Sequence, residues 1–118
     1  KRRNAAIGCF VVEPEGAAAL KGEPVTNPGH RIQGGGYSMA SLRLINRADV
    51  DGYLTVPDAD AVAWTRRLAR EEGIFAGFSS GANVAAAVQL LRGGYRGKTV
   101  VVMMCDSGLK YLSTDLWE

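Results

Sequence analysis

Two apolar runs without alternation, IGCFVV at positions 7–12 and VVVMM at 100–104, limit this chain more than any other feature. A strand with one wet face alternates apolar and polar side chains, so an unbroken run fits a strand covered on both faces of a parallel sheet. Residues 51–56 (DGYLTV) form a shorter third candidate. Between these runs lie two helical segments bounded by glycine turns, and that order indicates an α/β architecture.

The first helix is expected from Asp58, as N-cap after Pro57, to about Glu72, with Gly73 as its stop. Ala61, Trp64, Leu68 and Ala69 mark its buried stripe, while Arg66, Arg67, Arg70 and Glu71 face solvent. The second helix, 81–92, is apolar almost all round with small side chains, which belongs to a helix packed closely between other elements. Gly93-Gly94 ends it. Residues 14–28 read as loop with one short helix around 16–20. Residues 27–38 (NPGHRIQGGGYS) hold a triple glycine and the only histidine. A long glycine loop inside a compact domain is more often functional than idle.

Bulk properties remove several functions. A formal charge of +2 on 118 residues is too small for a nucleic-acid binder, and Lys1-Arg2-Arg3 reads as a solvated terminus. Cys9 and Cys105 sit in apolar runs that read as buried strands, which suggests reduced core thiols and a cytoplasmic setting. No C-x-x-C or His/Cys cluster points to a metal. No apolar run approaches the roughly 20 residues of a membrane span, and no secretory h-region opens the chain.

The chemistry concentrates at Gly77-Phe78-Ser79-Ser80-Gly81-Ala82-Asn83, a glycine-framed pair of hydroxyls opening a helix. Small residues let backbone approach a ligand, and a helix start offers unpaired N–H groups and a positive dipole end. The pentapeptide also fits the G-x-S-x-G pattern of a nucleophile elbow, but that motif needs an acid and then a histidine downstream. His30 precedes Ser79, and a strand at 74–76 is too short to present a nucleophile. Phosphate binding lacks the Walker lysine, and residues 34–36 lack G-x-G-x-x-G spacing. Glu13 could mimic a ribose-binding acid, though a turn-forming Glu-Pro fits it better. The remaining readings leave Ser79 as a plain helix cap or as a hydroxyl turned toward something bound.

Five segments in order resemble the C-terminal half of the pyridoxal-phosphate-dependent cysteine synthase and cystathionine β-synthase family. They are Val12-Glu13-Pro14, the loop from Pro28 through Ile32-Gln33-Gly34-Gly35-Gly36, and the helix ending Arg70-Glu71-Glu72-Gly73-Ile74. The GFSSGA motif at 77–82 and Asp106-Ser107-Gly108-Leu109-Lys110-Tyr111-Leu112-Ser113-Thr114 complete the set. The resemblance covers nearly the whole chain and implies a fold-type-II, three-layer sandwich around a mainly parallel sheet. It places the cofactor's pyridine nitrogen at Ser79, with Ser80 as a helix-start residue. Gly34, Gly35 and Gly36 would pass close to cofactor and substrate, and Asp106 and Ser107 would border the pocket.

The resemblance further implies β-replacement on an amino-acid substrate, O-acetylserine or serine, by a sulfur nucleophile. The family attaches pyridoxal 5'-phosphate through a lysine early in its chain, and Lys1, Lys21, Lys98 and Lys110 do not match that context. The implied partner is therefore a complementary N-terminal half carrying that lysine, in the same or a separate chain, with a homodimer as the complete enzyme. This chain alone is expected to be inactive. Cys105 stands where many members have proline, and Tyr37-Ser38-Met39 departs from the usual continuation of the glycine loop. A serine or threonine deaminase of the same fold, or a non-catalytic subunit that kept the shape, remain the alternatives.

Overall fold

A computed structural model describes residues 1–35 and 37–118, so Gly36 of the glycine triplet lies outside the described residues. Strand β1 (Phe10–Pro14) pairs in parallel with β2 (Gly52–Val56), Phe10 opposite Gly52 and Pro14 opposite Val56. The register brings the Phe10 ring against Gly52, where a Cβ would crowd it. Beyond Pro14 the chain turns on Glu13. Its buried carboxylate accepts the Leu20 and Lys21 N–H groups at 2.8 and 3.0 Å. Those donors are thereby committed to a loop, and residues 16–20 form turns instead of the short helix expected there.

Helix α1 (Asp58–Glu72) follows Pro57 and stops at Gly73, whose φ of 68° is the left-handed conformation that glycine adopts freely. Asp58 does not cap this helix. It lies in the first turn, and its carboxylate accepts the Arg31 N–H at 2.9 Å. Arg66 also departs from expectation. Its guanidinium donates to the Leu116 and Asp115 carbonyls at 2.6 and 2.7 Å, tying α1 to a short 3₁₀ helix at Asp115–Trp117.

Helix α2 (Phe78–Arg92) begins three residues before the expected start, so the serine pair lies inside its first turn. It packs against the sheet on one side and α1 on the other. Ile32, Val56, Ala61, Ala82, Ala85 and Ala86 form the shared core, with Val12, Leu54 and Trp64 against it. A second cluster joins Val62, Phe78, Tyr111 and Leu116. The helices meet at Gly81, where a Cβ would overlap the Thr65 hydroxyl and the Ala61 carbonyl.

Residues 100–104 do not join the sheet. Val101 is 90% exposed and Met103 71%, and no described strand lies alongside to supply a ladder. Between this segment and β1 runs a cavity of about 830 Å³, lined by Phe10, Val12, Leu54, Val100 and Val102. The short 74–76 strand reduces to one antiparallel bridge from Ala76 to Ser107. Cys9 is half-buried, Cys105 is exposed, and both thiols are free, so neither is the core thiol expected. Among the described residues no helix is long and apolar enough to cross a membrane.

Gly81→Ala is expected to destabilise the protein by about 1–3 kcal/mol, because the obstructing atoms include a helix carbonyl that cannot swing aside. Gly94→Ala, which meets open space, should stay within about 0.5 kcal/mol in the same urea titration.

Candidate functional site

The first turn of α2 is built from a backbone that other elements hold on several sides. Gly77 occupies the N-cap position in extended conformation and offers no side chain to the helix N–H groups. Its carbonyl accepts the Thr65 hydroxyl at 3.2 Å. The Tyr111 ring and one Asp106 oxygen pack so closely on Gly77 that a Cβ there would overlap both. Phe78 meets the Tyr111 ring edge-on at 5.1 Å and carries the Arg31 guanidinium over its face at 5.3 Å.

The two serines differ in what they can do. Ser80 is fully buried, and its hydroxyl accepts the Cys105 N–H at 3.0 Å, tying α2 to the segment that follows residue 104. Ser79 is half-buried, and among the described residues nothing hydrogen-bonds its hydroxyl. A hydroxyl at this point, beside the positive end of a fifteen-residue helix, is free to donate to a ligand without contributing charge.

Asp106 and Ser107 come to the same place. Asp106 Oδ2 accepts the Tyr111 hydroxyl at 2.6 Å and the Lys110 ammonium at 3.4 Å, while Oδ1 lies buried against Gly77. Ser107 pairs with Ala76 and turns its own hydroxyl to the Leu109 N–H at 3.3 Å, capping a 3₁₀ helix at Gly108–Tyr111. The structure thus gathers Ser79, Asp106 and Ser107 around one helix start.

Gly34 and Gly35 lie elsewhere, lining a cavity of about 240 Å³ with Val11, Leu20, Tyr37 and Ile45. Ile32, two residues before Gly34, is packed with Ala82 of α2, so the loop departs from beside the site. Gly34 needs its glycine for a φ of 82°, and among the described residues nothing crowds either position. Three of the lysines hold carboxylate partners: Lys1 pairs with Asp51, Lys21 with Glu23 and Lys110 with Asp106. Lys98 lines the larger cavity.

Tyr111 and Thr65 are the contributors that sequence reasoning passed over. The five-residue spacing of Asp106 and Tyr111 across a Ser-Gly turn was the available signal for the first. Burial, followed by the hydrogen bond to Asp106, pushes the Tyr111 phenol up to about 12 from 10.0. The folded value exceeds the unfolded one, so this contribution to stability is complete below pH 10 and disappears as pH climbs to about 12. An alkaline absorbance titration is expected to find one tyrosine ionising near that upper value. Asp106→Asn should bring it partway down, since burial remains; an unmoved phenol would separate Tyr111 from Asp106.

Residues 1–106 match the pyridoxal-phosphate dependent enzyme family. A probable cysteine synthase of Bacillus subtilis is 43% identical over 113 residues, covering 94% of this chain and 35% of that protein. The crystal structure of a cysteine synthase from Entamoeba histolytica superposes with a TM-score of 0.88 at 32% identity, over 99% of this chain and 34% of the other. An O-acetylserine-dependent cystathionine β-synthase from Helicobacter pylori gives a TM-score of 0.82 at 31% identity, over 100% of this chain and 37% of the other. The chain therefore spans about a third of the length of these relatives. On this agreement of sequence and fold, the chain belongs to the pyridoxal-phosphate dependent enzyme family, with the α/β fold of its cysteine-synthase-like, fold-type-II members.

Proposed function

We propose that this chain is one portion, residues 1–118, of a pyridoxal-phosphate-dependent β-replacement enzyme. It would act on O-acetylserine or serine with a sulfur nucleophile. The observation that carries this reading is Ser79, a half-buried hydroxyl without a hydrogen-bond partner among the described residues, held in the first turn of α2 by neighbours that are all engaged. The residues at the helix start fit the cofactor: Ser79 would donate to the pyridine nitrogen, with Asp106 and Ser107 standing at the edge of the pocket behind it, while Gly34 and Gly35 line a separate cavity in this structure. When bound, pyridoxal phosphate withdraws electrons from the substrate's α-carbon and so eases departure of a β-substituent. A neutral hydroxyl at the ring nitrogen limits that withdrawal, which suits β-replacement better than transamination. The names of the relatives, cysteine synthases and an O-acetylserine-dependent enzyme among them, support the substrate class.

The lysine that attaches the cofactor would come from a complementary segment, and this chain alone would be inactive. Supporting this, Lys1, Lys21 and Lys110 are held in surface ion pairs. β1 and residues 100–104 both line the 830 Å³ cavity, and among the described residues no strand lies between them. A strand from the complementary segment, spaced about 4.8 Å from each neighbour, would complete the sheet there. The complete enzyme would be a cytoplasmic homodimer, a setting that suits two free thiols.

In the complete protein, adding O-acetylserine is expected to shift the cofactor's visible absorption, and a colourless, silent protein would favour the non-catalytic subunit. Ser79→Asp, which keeps the ring protonated, should slow β-replacement by about ten-fold. Unchanged turnover would mean that Ser79 does not meet the ring. Val101→Lys tests the strand: although Val101 is 90% exposed here, burying a lysine there should cost the complete protein more than about 2 kcal/mol. A melting temperature equal to the parent's would leave that face uncovered.

A further inference from the structure

The contacts around Gly77 do more than fill space. The Tyr111 hydroxyl donates to Asp106 at 2.6 Å, and the pair closes over the bare Cα of Gly77, two residues before Ser79. Asp106 Oδ1 is buried there with no hydrogen-bond partner. A carboxylate in that position would be idle as a binding group, yet it places negative charge beside the N-terminal end of α2, which has no side-chain cap of its own. The next residues are held from the same loop: Tyr111 packs on Phe78, Ala76 bridges Ser107, and the Cys105 N–H reaches Ser80. Thr65 fixes the Gly77 carbonyl from α1. Every residue from 76 to 80 except Ser79 is therefore held by a contact from outside α2.

We infer that Asp106 and Tyr111 are positioning residues whose hydrogen bond fixes the first turn of α2 and so sets where the Ser79 hydroxyl points. This rests on the reading of Ser79 as the partner of the cofactor's ring nitrogen. The pair bears on Ser79 through the Gly77 backbone and the Phe78 ring. Breaking the hydrogen bond lets the Asp106 carboxylate turn away from Gly77 and removes the packing over its bare Cα, leaving the Thr65 hydroxyl on the Gly77 carbonyl as the remaining restraint at the N-cap. The Ser79 donor then samples directions that miss the ring. Tyr111 and Asp106 should consequently act on cofactor affinity through Ser79 and by no separate route.

A double-mutant cycle in the complete protein reads this directly, using the equilibrium dissociation constant of pyridoxal phosphate followed by its visible absorption and fluorescence. Tyr111→Phe keeps the ring that packs on Phe78, and Asp106→Asn keeps the shape of the carboxylate. Either variant supplies the cycle if the other fails to fold. Ser79→Ala is expected to weaken cofactor binding by about ten-fold, and Tyr111→Phe and Asp106→Asn each by a similar factor. Ser79→Ala combined with Tyr111→Phe should be no weaker than Ser79→Ala alone, because the hydroxyl being aimed is already gone. Losses that multiply in the combined variant overturn the inference and leave the Ser79 reading standing. Unchanged affinity in Ser79→Ala overturns both.

Discussion

The crossing of α1 and α2 at Gly81 is the constraint on which the rest depends. With no side chain at that point, the Ala61 carbonyl and the Thr65 hydroxyl come within contact of the α2 backbone. The Thr65 hydroxyl shares its single proton between the Ala61 carbonyl at 2.8 Å and the Gly77 carbonyl at 3.2 Å, so its polar group is satisfied inside the interface. This closeness lets Ala82, Ala85 and Ala86, all short, reach a common core with Val56 and Ile32. Larger residues on α2 would force the helices apart and carry Ser79 with them. The glycine of the serine motif thus has a packing role as well as a place beside the ligand.

The site follows from that crossing. Once α2 is seated, its N-terminal turn has a fixed place, and residues 105–111 fold back over it through Ser80, Gly77 and Phe78. The loop from Arg31 is secured to the same region by the Asp58 carboxylate, the Phe78 ring and an ion pair with Asp115. Two chain segments that are distant in sequence meet at one helix end, where charge and hydrogen-bonding capacity are already arranged. Such preorganisation lets a single hydroxyl act as a directed donor.

Much of this was legible in the residues. The apolar run at 7–12 meets β1 only in its last three residues, since the strand starts at Phe10 and continues through Glu13 and Pro14; Gly73 marks the end of α1, and the alanines of α2 mark a tightly packed helix. Other parts turned on partners that no local pattern reveals. Asp58 looks like a cap but serves Arg31, and Arg66 looks solvated but holds the Leu116 carbonyl. The run at 100–104 has the composition of a strand, yet a strand is a property of two neighbours and its neighbour is not among the described residues. The motif serines are chemically identical, so only the family resemblance distinguished them in the sequence, and in the fold they differ in what each one faces.

The open flank of β1 has a consequence for handling this polypeptide. Among the described residues no strand pairs with β1 on the side where Phe10 and Val12 line the cavity, and Lys98 is the one charged residue in that lining. Edges of this kind accept strands from any chain of suitable sequence, including copies of the same one. The colloidal behaviour of the segment should therefore depend steeply on its concentration. A stretch that is inert once enclosed is the most adhesive surface it has while exposed.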